Sequence, residues 1–209
     1  MQNARTESPA RRLVALVFAA VLALGAFAMA GCSSTNDEQV IRDGITKELD
    51  IFKNPTQEAL QPYIDQMDSS TMQQLEAYGI DLVEFFQHAL SKFDYEIGDI
   101  TIDGDKATAA ITVTNIDVAA IVNDTMTELQ NDPEVAKTVQ TIAQNGGTQK
   151  DAMKYVFTIL YDALDTATDT VTTDTEITLT KSDNTWEVDQ ESMSGMLGGI
   201  FGDYNNIGK

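Results

Sequence analysis

Two side chains in this sequence have types that could do chemistry alone, and each occurs once. The 209 residues contain one cysteine, Cys32, and one histidine, His88. A thiol can serve as nucleophile, metal ligand or acylation site. An imidazole can act as a general base when a second group orients it. His88 follows Phe85 and Phe86 in an apolar stretch and reads as a packed or half-exposed structural residue. No GxSxG, HExxH, Gly-rich phosphate loop or CxxC accompanies either residue. With one histidine and a cysteine engaged elsewhere, zinc is not expected.

Carboxylates are plentiful instead. Asp99, Asp103 and Asp105 flank one turn; Asp162, Asp165, Asp169, Asp174 and Glu176 approach another. Calcium loops need oxygen ligands at fixed spacing, D-x-[DN]-x-[DN]-G. Asp103-Gly104-Asp105 lacks that spacing, so these read as solvated acidic turns. No metal or cofactor is expected. Two aromatics, Tyr95 and Trp186, are the candidates for lining a pocket, since aromatic rings often wall ligand sites. For Trp186 at strand spacing beside Val188, a place in the core is the stronger reading.

The surroundings of Cys32 give it a different role. Arg5, Arg11 and Arg12 precede an uncharged apolar run from Leu13 to Ala30, and small residues lead to the cysteine. This is the layout of an export signal. Met29-Ala30-Gly31-Cys32 resembles the lipobox of bacterial lipoprotein signals, with Met29 where that pattern usually carries Leu. The resemblance implies a diacylglyceryl group on Cys32, cleavage just before it, and a chain held by lipid at the extracytoplasmic face of a membrane. The alternative is an uncleaved helix, for which Leu13–Ala30 is about long enough. On the lipobox reading residues 1–31 are the signal, 32–37 a short lipidated linker spanning on the order of 20 Å, and 38–209 a single domain.

Residues 32–209 hold 10 basic and 32 acidic side chains, a formal net charge of −22. Phosphate binding needs a basic footprint, so nucleic acid is excluded as a partner. An anionic bilayer would also repel the domain, leaving lipid to hold it there. With its one cysteine lipidated, the chain can form no internal disulfide, so its stability must come from its core.

The elements that would position any site follow from periodicity. Val40, Ile41, Ile45, Leu49 and Phe52 share a helical face, with Arg42, Asp43, Lys47 and Glu48 away from it. Asn54-Pro55 ends that helix and starts another, which Pro62 should kink or split. Ser70 can cap a short helix ending at Gly79, and Asp81 with Glu84 suggests a capping box for the next. From Phe93 the period changes to two. Phe93, Tyr95 and Ile97, then Ala107, Ala109, Ile111 and Val113, alternate with polar residues about an Asp-Gly-Asp turn, predicting a hairpin. Helices return over about 117–168, broken at Asp132-Pro133 and Gly146-Gly147. A second hairpin turns at Ser182-Asp183-Asn184 and includes Trp186 and Val188. The tail Met193, Met196, Leu197, Ile200 and Phe201 makes an amphipathic turn or two of helix, weakened by glycines.

These patterns predict an α+β domain: N-terminal helices packed on a curved antiparallel sheet of two hairpins, with a helical insertion between the hairpins. The segments FDYEIGDITIDGDKATAAITVTN, EITLTKSDNTWEVD and MLGGIF resemble parts of envelope lipoproteins in the nuclear transport factor 2-like or cystatin-like group. That resemblance implies a sheet wrapped around helices to form an open cone. The functional expectation is a non-enzymatic binding or assembly module for a small ligand, peptide or envelope protein. The alternatives are a carboxylate-based enzyme in a cone-shaped pocket and a purely structural surface protein.

Overall fold

The computed structural model describes residues 28–30 and 37–203. Cys32, Gly31 and the rest of the expected signal and linker lie outside the described residues, apart from the backbone of 28–30 and the start of the first helix.

The chain is α+β. Its elements are β1 (Ala28–Ala30), α1 (Asp37–Lys53), α2 (Gln57–Ile64), α3 (Ser69–Tyr78), α4 (Leu82–Ala89), β2 (Asp94–Asp103), β3 (Lys106–Asn115), α5 (Val118–Asn131), α6 (Pro133–Gln144), α7 (Gln149–Thr166), β4 (Val171–Ser182), β5 (Thr185–Val188) and α8 (Gln190–Phe201). The helical insertion therefore falls where the sequence puts it, between the hairpins.

The sheet has the order β1-β5-β4-β3-β2, antiparallel throughout. From β2 to β5 spatial order follows chain order. The three-helix insertion leaves β3 and returns to its neighbour β4 without disturbing the meander. Turn chemistry fixes both hairpins. Gly104 supplies a φ of +61° in the first. Asp183 and Asn184 both take positive φ in the second, as a tight two-residue hairpin turn requires. Lys181 N donates to Asp105 O at 2.8 Å and ties the two turns together.

Period-two burial gives the sheet one covered face. Ala107, Ala109, Ile111 and Val113 of β3 and Ile177 and Leu179 of β4 are buried. The alternate residues of β4 (Thr172, Asp174, Glu176, Thr178 and Thr180) are exposed. On the covered face α1 buries Ile41, Ile45, Leu49 and Phe52, at roughly 1.5–3 kcal/mol of transfer free energy for each large side chain. Helix α8 lies across β3 and β4. It is a full twelve-residue helix, longer than its glycines suggest, because docking compensates for poor propensity. Gly199 is what permits the fit: a Cβ there would sit 2.7 Å from Val113 Cγ2.

Arg42 departs from the expectation of a solvated side chain. The register of β2 against β3 shifts between Ile97 and Ile100, and such a bulge leaves carbonyls outside the ladder. Arg42 donates to Ile97 O at 2.9 Å and to Gly98 O at 3.0 Å. Pro62 does not split α2, which runs through it and ends at Ile64. Asp81 accepts from Val83 and Glu84 amides, while the reciprocal capping box is built by Thr148 and Asp151 at the start of α7.

Candidate functional site

A cleft of about 610 Å³ opens among α2, α3, α4 and the first turn of α7. Local sequence explains its walls. Asp68 caps α3, accepting from the amides of Ser70 and Thr71 at 3.0 and 2.9 Å. The Ser70 hydroxyl, then the Thr71 hydroxyl and amide, hold its carboxyl far below the usual range. At the other end Gly79 takes φ +74°, its amide bonding Glu76 O and the Ile80 amide bonding Leu75 O. This is the glycine-terminated helix end in which two amides satisfy orphan carbonyls. Asp81 then caps α4 two residues later, so the chain reverses within Gly79-Ile80-Asp81.

That reversal makes the cleft. Its floor is apolar, from Ile64, Met72, Leu75 and Ile80; Leu75 and Ile80 are buried and Ile64 and Met72 half-buried. The rim is polar, from Gln57, Glu76, Asp81 and Lys150. The Lys150 stem packs where a Gly79 side chain would be, with a hypothetical Cβ only 2.6 Å from Lys150 Cε. The arrangement can take an apolar body on the floor while offering carboxylates, a carboxamide and one ammonium to a polar end.

The aromatics expected as pocket walls are elsewhere. Trp186 is fully buried in the core, with the Lys181 ammonium 5.3 Å from its ring centroid. Tyr95 is half-buried on β2, and its hydroxyl donates to Asp50 Oδ1 at 2.7 Å. Burial, then the Asp50 hydrogen bond and charge, push that phenol up to about 12. Neither lines the cleft. The reason is register: Tyr95 faces α1, and Trp186 alternates inward with Val188.

His88 does have an orienting partner. Its Nδ1 lies 2.8 Å from Asp165 Oδ1, and its ring stacks on Tyr161 at 4.3 Å between centroids. This latches α4 to α7, a contact between residues 77 apart in sequence that no local pattern reveals. Burial, then the charges of Glu84 and Asp81, push the Tyr161 hydroxyl far up. The other acidic residues are dispersed. Asp174 accepts from the Thr112 hydroxyl at 2.7 Å on the open sheet face. Among the described residues no three His, Cys, Asp or Glu side chains are grouped to hold a metal ion.

The residues lining the cleft carry no motif. The one available signal is the helix stop and start packed into Gly79-Ile80-Asp81. Comparison with protein-family models, with curated proteins and with solved structures finds no match.

Proposed function

We propose that this chain is a lipid-anchored extracytoplasmic binding module. Residues 1–31 export it, lipid on Cys32 holds it at the membrane, and the cleft takes a small amphipathic molecule or peptide. The address rests on Met29-Ala30-Gly31-Cys32 and the charged, then apolar, segment before it. The observation that carries the binding reading is the cleft itself: a volume in the range of ligand sites, an apolar floor and convergent polar groups at the rim. No helix among the described residues is long and apolar enough to cross a membrane.

Two measurements test this. Cys32→Ser should abolish incorporation of labelled fatty acid and leave an uncut precursor; normal lipid labelling and processing in that variant would sink the anchor. Ligand-observed NMR against a library of amphipathic molecules and short peptides should give hits that Met72→Trp, which fills the floor, removes. Hits indifferent to Met72→Trp and to Lys150→Glu would place binding elsewhere.

A further inference from the structure

The strand Ala28–Ala30 pairs with the outer edge of β5, with Ala28 opposite Glu187, Met29 opposite Trp186 and Ala30 opposite Thr185. On the lipoprotein reading, on which this inference rests, these residues belong to the signal and leave the protein when the chain is cut before Cys32. The inner side of β5 stays paired with β4, from Leu179 opposite Val188 to Ser182 opposite Thr185. Its outer side loses its partner. A vacated edge presents backbone donors and acceptors to any extended segment that can reach them.

We infer that cleavage converts the outer edge of β5 into a docking slot for an extended, uncharged segment of a neighbouring protein, added antiparallel. The precursor already seats such a segment there, Ala-Met-Ala. The slot also has a wall. Helix α1 touches Ala28–Ala30 as well as β2, so it reaches both outermost strands of the sheet. The start of α1 is pinned beside the slot, Asp37 accepting from Lys181 at 2.8 and 2.9 Å. Exposed Glu187 on β5 disfavours an acidic occupant.

A second copy of the chain fits the slot poorly. Pairing two β5 edges antiparallel about a two-fold axis puts both α1 helices on the same face of the joined sheet, where each already reaches its own edge. The edge is also short, four residues between the Asp183-Asn184 turn and Asp189. A stable protein dimer needs a buried surface of about 1,200 Å² or more.

The test uses the chain's own strand as probe. Trp186, the single tryptophan, stands at the centre of the pairing and reports occupancy by fluorescence. A synthetic peptide of residues 26–31 is titrated into processed protein purified from the envelope, and into the uncut Cys32→Ser precursor. The processed protein should give a saturable change. The precursor should give none at peptide concentrations well below ~1 mM, the order at which a tethered strand competes. The same peptide N-methylated at the residues matching 28–30 should lose the effect. A processed chain starting at Cys32 that ignores the peptide, binds the N-methylated form equally, or is dimeric by light scattering overturns the docking slot and leaves the anchor intact. An envelope chain that retains residues 28–30 by mass overturns the anchor reading and this inference with it.

Discussion

Lys181 on β4 grips the first residue of α1, its Nζ 2.9 and 2.8 Å from the two carboxylate oxygens of Asp37. The pair joins residues 144 apart and ties the start of the domain to the sheet. Only five positions separate Asp37 from Cys32, the residue proposed to carry the lipid. The Lys181 hydrogen bond is the main cause that holds the Asp37 carboxyl below the usual range. Trp186 Nε1 adds to it at a geometry short of an ordinary hydrogen bond.

Asp37 is depressed in the folded state, so its contribution to stability is present above the ordinary Asp range. It is lost as pH falls through the lower, folded value. Asp37→Asn should therefore lower the thermal midpoint slightly at neutral pH, and the gap to the native chain should close in strong acid. The measurement is a pair of melting curves for each protein at the two conditions. An undiminished gap in acid would mean that the charge on Asp37 is not what the variant removes.

Asn115 is a second long-range tie. It is buried at the end of β3, and its Nδ2 donates to Ala89 O at 3.0 Å and Ile200 O at 2.9 Å. One carboxamide thus serves carbonyls in the last turns of α4 and α8. Asn115→Leu keeps the branched shape and removes both donors, leaving two carbonyls without that partner. The expected loss is about 2–4 kcal/mol in urea unfolding. Asn115→Asp should cost more, since it puts an acceptor where two acceptors converge. A loss no larger than that of an exposed substitution would contradict this role.

How far the sequence anticipates these ties depends on their range. Both hairpins, their turns and the three inserted helices are legible because period and turn chemistry are local: Gly104, Asp183-Asn184, Asp132-Pro133. The cleft is half legible. Gly79 and Asp81 announce a stop and a start, but nothing local says that Lys150 will lie across Gly79. Arg42 and His88 are where local reading goes wrong or stays open. Arg42 looks solvated from its place on the helix, yet the β2 bulge supplies it with carbonyls. His88 looks unsupported until α7 brings Asp165 and Tyr161. Trp186 reads from its strand spacing as core more than pocket wall, and it is fully buried.

Gly79 couples stability to the cleft. Its φ of +74° is one that residues with a Cβ adopt at a cost, and the Lys150 stem occupies the place that a Cβ would take. Gly79→Ala should lose about 1–2 kcal/mol and also displace Lys150 from the rim. Lys150→Ala relieves the crowding but not the backbone strain. Chemical denaturation of the two single variants and the double should show that Lys150→Ala recovers part of the loss. Full recovery would mean that strain at Gly79 is negligible, and no recovery that Lys150 moves freely.

Gly199 packs its helix closely against β3. A Cβ at 199 would lie 2.7 Å from Val113 Cγ2 and 3.3 Å from Thr173 Cβ, and Val113 is fully buried. Helix propensity alone favours Gly199→Ala by up to about 1 kcal/mol. Overpacking opposes it by about 1–3 kcal/mol, and the clash should win because the obstructing atom belongs to a branched side chain locked in the sheet. The expected outcome is a net destabilisation. In a double-mutant cycle Val113→Ala removes the obstructing methyl, so Gly199→Ala should be neutral or stabilising in that background, a coupling of the size found for touching residues. If Gly199→Ala stabilises the native chain outright, α8 sits further from the sheet than the packed geometry places it, and the glycines of this helix are tolerated without being needed.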